Sequence, residues 1–265
     1  MGRFLFVVPP LQGHINPTVS VGHELAGRGH AVAWAGEPSV VRPLLAEEAT
    51  FFPCPPRLPE AMEDALRNKA VGLRGPAALK FLWEEALLPL ADAMQEPLAF
   101  APDVLVVDQQ AVGGAATARR RSLPWATSAT TSAEFAQPFA LIPKVGEWIH
   151  QSLVDLQVRL GVPEDLAHEG DLRFSERLVL AFTTEALAGD TTVPPSCGPV
   201  AFVGPSLEAR PETAAFPFER LDPARPLVLV SLGTVNAEIG ERFYGVVVEA
   251  LRGGPAPVVV AAPPD

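Results

Sequence analysis

The 265 residues contain only two cysteines, Cys54 and Cys197, and neither has a second Cys or a His at metal-ligand spacing. That excludes a disulfide framework and a zinc site, and it fits a reducing cytoplasm. Basic charge is also scarce: 20 Lys and Arg stand against 31 Asp and Glu, a formal net charge of −11. A broad basic surface for nucleic acid or an anionic membrane is therefore excluded, and any phosphate must be held locally. Long apolar runs are missing. The first, Phe4 to Val8, is stopped by Pro9-Pro10 well short of a signal-peptide core or a membrane span. Gly2 carries no myristoylation signal, because Phe6 stands where that motif needs Ser or Thr. There is no regular internal repeat and no low-complexity tract beyond one Pro-rich stretch.

What is present is apolar sequence in short pieces, 48% of the chain and enough for a substantial core. The runs Arg3 to Val8, Ala31 to Ala35, Asp103 to Val107, Trp125 to Ala129 and Leu178 to Phe182 read as buried strands. Helical stretches alternate with them, which predicts an α/β fold with a mostly parallel sheet. The firmest helix runs from Pro17 to Arg28, with Asn16 as its N-cap and Gly29 after its end. Others are read over Ala111 to Arg121, Pro76 to Met94 and Lys144 to Leu160. Between Gly204 and Pro226 the composition turns to Pro, Glu, Arg and Ala, as in a linker. This divides the chain into a domain over 1–204, a linker over 205–226 and a second unit over 227–265. That unit reads as strand Leu227 to Ser231, helix Glu238 to Leu251 and strand Val258 to Ala262. One βαβ unit cannot cover both faces of its own sheet, so a second domain is expected to be begun and incomplete.

Three places carry chemistry. Gln12-Gly13-His14-Ile15-Asn16-Pro17 joins the first strand to the first helix, and ligands of open α/β sheets sit outside such strand ends. The positive end of the helix dipole would favour a neutral His14 able to accept a proton. A His that merely packs or caps the loop is the alternative. The segment lacks the three spaced glycines of a dinucleotide fingerprint, which disfavours an oxidoreductase. Asp108 ends the run Val104 to Val107 and could orient and charge-stabilise His14, or simply cap the helix that follows. Ser231-Leu232-Gly233-Thr234 follows a strand, and its hydroxyls and free backbone N–H groups could receive a phosphate, although such junctions also contain Gly and Thr for conformational reasons.

Taken in order, Phe4 to Pro10 with Gly13 to Pro17, Leu25 to His30, Pro102 to Asp108, Phe202 to Pro205 and Leu229 to Thr234 resemble the landmarks of the family 1 glycosyltransferases. The actinobacterial macrolide-type enzymes are the nearest group. The resemblance spans essentially the whole chain and implies the GT-B fold, two facing Rossmann-like domains with acceptor on the first and nucleotide sugar on the second. It implies His14 as general base, Asp108 as its orienting partner, and inverting transfer without a metal or resident cofactor. The co-substrate would be a UDP- or dTDP-sugar, and the acceptor a small apolar aglycone such as a macrolide or polyketide. Gly233, Thr234 and Ser231 fall where that family meets the donor diphosphate. Gly13 and the Thr130-Thr131-Ser132 loop resemble regions touching acceptor or donor sugar. The family's His-Gly-Gly donor segment is absent, so a non-catalytic acceptor-binding paralogue is the alternative. Phe51 to Met94, with Trp83, is expected to wall the acceptor pocket or to fill the core. Neither nucleic acid nor membrane is expected as a partner, and a homodimer is left open.

Overall fold

The computed structural model describes residues 1–54, 97–189, 193, 196–207, 216–233 and 240–261, with 77, 80 and 88 standing singly. Seven strands, β1 (Arg3–Val7), β2 (Ala31–Gly36), β3 (Thr50–Pro53), β4 (Val104–Asp108), β5 (Trp125–Ala129), β6 (Val179–Ala181) and β7 (Val200–Phe202), form one sheet in the order β3-β2-β1-β4-β5-β6-β7. Every pairing within it is parallel. Helices α1 (Gln12–Gly27), α2 (Pro38–Val41), α3 (Val112–Arg120), α4 (Pro143–Arg159), α5 (Glu164–Ala167) and α6 (Glu185–Ala188) lie among these strands in the chain.

Side chains alternate across each strand and so feed two separate cores. Leu5, Val7, Leu105 and Val107 pack with α3 and with Ile149, Leu153 and Leu156 of α4. Phe6, Val8 and Val106 turn to the other face, against Ile15 and Val19 of α1 and against Trp34. Helices thus cover both faces, which is why these strands are apolar without a polar side. Two glycines let helices approach the strands closely. A Cβ on Gly22 of α1 would lie 2.3 Å from Trp34, and one on Gly114 of α3 would lie 2.9 Å from both Val7 and Val107.

The strand order places a topological switch between β1 and β4: the chain builds outward through β2 and β3, then returns to build the other way from β4. Ligands of such sheets bind in the crevice at that point. A separate parallel pair, β8 (Val228–Ser231) and β9 (Val258–Ala261), brackets α7 (Glu241–Leu251). Tyr244 ties this unit together: its hydroxyl donates to the Ala261 carbonyl at 3.0 Å and accepts from the Leu232 N–H at 3.1 Å. Ser206 donates to the Pro17 carbonyl at 2.9 Å, fastening the segment after β7 to α1.

The helix expected to begin at Pro17 starts instead at Gln12, with Leu11 at its N-cap and no side-chain cap. Asn16 and Pro17 therefore lie inside α1. A proline is tolerated there because the only bond it forfeits is to the carbonyl of Gly13 in the first turn, beside solvent. The strands β3 and β7, at the two sheet edges, have no counterpart in the sequence reading. The helix read over Pro76 to Met94 and the wall residue Trp83 lie outside the described residues, apart from the single positions noted.

Candidate functional site

The parallel register aligns Val7 with Val107, so the chain leaves β1 and ends β4 at the same level of the sheet. Residue 14, in the first turn of α1, and residue 108, the last of β4, are therefore brought together across 94 positions of sequence. His14 Nδ1 lies 3.0 Å from each carboxylate oxygen of Asp108. The Asp108 side chain is fully buried, whereas that of His14 is 16% exposed. Asp108 Oδ1 also accepts the backbone N–H of Gln110 at 2.9 Å, which fixes the carboxylate. Asp108 thus meets the imidazole, while the alternative that it caps the following helix is not realised, since α3 has Ala111 at its N-cap and no side-chain cap.

Carboxylate oxygens on the Nδ1 side require a proton on Nδ1, so that in the neutral ring the lone pair is on Nε2. The protonation balance differs from the sequence expectation. Burial lowers the affinity of His14 for a proton, but the charge of Asp108 and its hydrogen bond outweigh that, and the pKa is raised above the ordinary 6.5. A helix dipole contributes roughly 0.3–1 kcal/mol. A hydrogen bond between charged groups contributes about 1.5–3 kcal/mol, and so it wins.

The loop after β5 supplies the third wall. Thr130 Oγ1 lies 2.7 Å from His14 Nδ1 and 3.3 Å from Asp108 Oδ2. The Thr131 N–H donates to Gln109 Oε1 at 3.0 Å. Gln109, almost fully buried, was not singled out in the sequence; only its place directly after the strand-end Asp108 marked it. Gly13 sits exposed in the first turn of α1, and a Cβ there would meet nothing within 4 Å. Its space opens beside His14. The side chain of Ser132 lies outside the described residues.

Beyond this loop is a cavity of about 290 Å3, lined by apolar Phe139, Ile149, Leu153 and Phe174 and by the charged group Glu134, Asp171 and Arg173. Arg173 clamps Asp171 through Nε at 3.0 Å and Nη2 at 2.7 Å, and reaches Glu134 with Nη1 at 2.6 Å. Burial pushes the Glu134 carboxyl upward, and Arg173 only partly offsets it. Asp171 is held below its ordinary value although burial opposes this, because the hydrogen bonds and charge of Arg173 prevail. Glu134 is further bonded by the Gln110 side chain, so the cavity wall connects to the turn that follows Asp108.

In the second unit, Gly233 takes a φ of +72°, which suits glycine. Of the N–H groups expected to be free there, that of Leu232 is held by Tyr244 and that of Gly233 donates to Ser231 Oγ at 3.1 Å. Thr234 lies outside the described residues. The structure thus assembles His14 and Asp108 with Thr130, and places Ser231 and Gly233 on the separate two-stranded unit.

No sequence-family profile matches the chain. The 4'-demethylrebeccamycin synthase of Lentzea aerocolonigenes is 28% identical over 94% of this chain and 67% of its own length. Among solved structures, the glycotransferase of kitacinnamycin superposes with a TM-score of 0.67 at 23% identity, covering 98% of this chain and 65% of that one. The glycosyltransferase SnogD of Streptomyces nogalater gives 0.66 at 20% identity, over 98% and 66%. The chain is thus similar to natural-product glycosyltransferases and shares the GT-B fold of the solved ones, with a seven-stranded parallel sheet and a separate two-stranded parallel unit among its described residues. It spans about two thirds of the length of these relatives.

Proposed function

We propose that this relative of the natural-product glycosyltransferases transfers a sugar from a nucleotide sugar to a hydroxyl of a small apolar natural product, with inversion. The observation that carries the reading is a His–Asp pair at the topological switch point, with Nδ1 held by a buried carboxylate. His14 Nε2, to which no described residue is bonded, takes the proton of the acceptor hydroxyl. The oxygen then attacks the anomeric carbon in line, the bond to the diphosphate breaks, and the nucleoside diphosphate leaves. Asp108 stabilises the imidazolium that forms.

Burial opposes protonation of His14, but the charge of Asp108 and its hydrogen bond raise the pKa above the ordinary value, which makes the imidazole a stronger base. We place the apolar body of the acceptor in the cavity beside α4, which at about 290 Å3 stands at the lower end of small-molecule sites and has Phe139, Ile149, Leu153 and Phe174 in its wall. A dTDP-sugar is the favoured donor, since the neighbouring glycosyltransferases SsfS6 of Streptomyces sp. SF2575 and VinC were solved with thymidine diphosphate and DTDP respectively. Gly233, with Ser231 and Thr234, would meet the diphosphate after the Gly233 N–H exchanges its exposed bond to Ser231 for a phosphate oxygen.

The test is transfer from dTDP- and UDP-sugars to a panel of apolar hydroxyl acceptors, read by mass spectrometry, with calorimetry of acceptor binding to the chain alone. His14→Ala should lower turnover roughly 100-fold or more and leave acceptor binding nearly unchanged. Near-wild-type turnover by that variant on an unactivated hydroxyl would remove His14 from the mechanism.

A further inference from the structure

We propose that Thr130 is a positioning residue of the His14–Asp108 pair, its hydroxyl completing a closed triangle that holds the imidazole with Nε2 facing the crevice. The inference deepens the reading of His14 as general base, but it rests on contacts of its own. The three sides of the triangle are His14 Nδ1 to Asp108 at 3.0 Å, Thr130 Oγ1 to His14 Nδ1 at 2.7 Å, and Thr130 Oγ1 to Asp108 Oδ2 at 3.3 Å.

Donor and acceptor roles follow by elimination. A lone pair on Nδ1 would face two carboxylate oxygens, so Nδ1 carries the proton. The Thr130 oxygen therefore accepts from Nδ1–H, and its own proton has Asp108 Oδ2 as its partner. The negative end of the hydroxyl dipole then points at the ring, which favours the imidazolium directly, whereas its effect through Asp108 is indirect. Asp108 is the charged group that acts on the His14 ring, and Thr130 is the neutral one. The position of the hydroxyl is fixed from behind. Thr130 directly follows β5, whose Ser128 is in register with Asp108, and the next residue is pinned by Gln109. Val in place of Thr would fill the same volume and put a methyl group against Nδ1.

The experiment is nitrogen-15 NMR of the chain labelled at histidine, without donor or acceptor, comparing wild type with Thr130→Val and Thr130→Ser. Removal of one neutral hydrogen bond should lower the His14 titration midpoint by about 0.5 to 1 pH unit and increase the population protonated on Nε2. Thr130→Ser should restore both. Backbone amide spectra of the same samples report whether the fold is intact. If Thr130→Val is folded and leaves midpoint and tautomer unchanged, or if serine does not rescue them, the inference is overturned. Because no sugar transfer is measured, this outcome is independent of the proposed reaction. A failed transfer assay would leave the triangle standing, and an inert Thr130 would leave His14 and Asp108 as a two-residue device.

Discussion

His14 Nδ1 is equidistant, at 3.0 Å, from the two oxygens of Asp108, so its proton is shared across the carboxylate. The pair holds the ring without depending on a single hydrogen-bond geometry. Replacing the carboxylate removes the charge and leaves the ring as buried as before. Asp108→Asn should therefore drop the His14 pKa below 6.5, since burial is then opposed only by neutral dipoles such as the Thr130 hydroxyl. It should also slow transfer roughly 100-fold, because the imidazolium formed in the reaction loses its counter-charge. NMR titration and single-turnover kinetics check the two effects separately.

The same pair makes stability depend on pH with a definite sign. The folded pKa of His14 is raised, so its contribution is complete below the unfolded value near 6.5 and fades as pH rises through the folded value. Urea denaturation from pH 5.5 to 8.5 should show this loss in the wild type. In Asp108→Asn, whose His14 pKa lies below the unfolded value, the slope from this group should reverse.

Gly22→Ala should destabilise the protein although it improves helix propensity. The propensity gain is about 1 kcal/mol. Overpacking costs about 1–3 kcal/mol, and the added Cβ would lie 2.3 Å from an indole that cannot easily retreat. The Trp34 ring stacks on Phe6 and donates Nε1–H to Thr18 at 3.0 Å. Thermal denaturation should show a lower midpoint, and a higher one would mean that the indole moves.

Arg173→Ala should be more damaging, by about 3–5 kcal/mol, because it strands two largely buried carboxylates beside the cavity. Replacing Glu134 and Asp171 by Gln and Asn in the same chain should recover part of that loss. Equilibrium unfolding of the single and triple variants measures the difference.

The interior strands were legible because each is a short apolar run buried on both faces, and Trp125 to Ala129 matches β5 end to end. The edges were not. Thr50–Pro53 exposes its first and last residues and ends in proline, and Val200–Phe202 is only half-buried, so neither shows the pattern of a central strand. The start of α1 misled for a local reason, since Asn16-Pro17 carries a start signal while lying inside a helix that begins without a side-chain cap. At the site, His14 and Asp108 were legible from their place at strand ends. Their approach within hydrogen-bond reach was expected from neighbouring strand ends and is found at 3.0 Å, whereas the Thr130 contact depended on how the next loop folds back, which composition does not encode.

The switch between β1 and β4 also governs when the site comes into being. Its members are far apart in sequence, His14 and Asp108 separated by 94 positions and His14 and Thr130 by 116, yet they meet at one point. During synthesis β1, α1 and β2 can associate early, but the imidazole has no partner until β4 inserts beside β1 on the opposite side from β2. Pairing of strands so far apart in sequence is slow compared with the formation of local helices. The raised pKa of His14 should consequently be acquired with the central strand pair and lost with it, which makes it an expected reporter of that pairing.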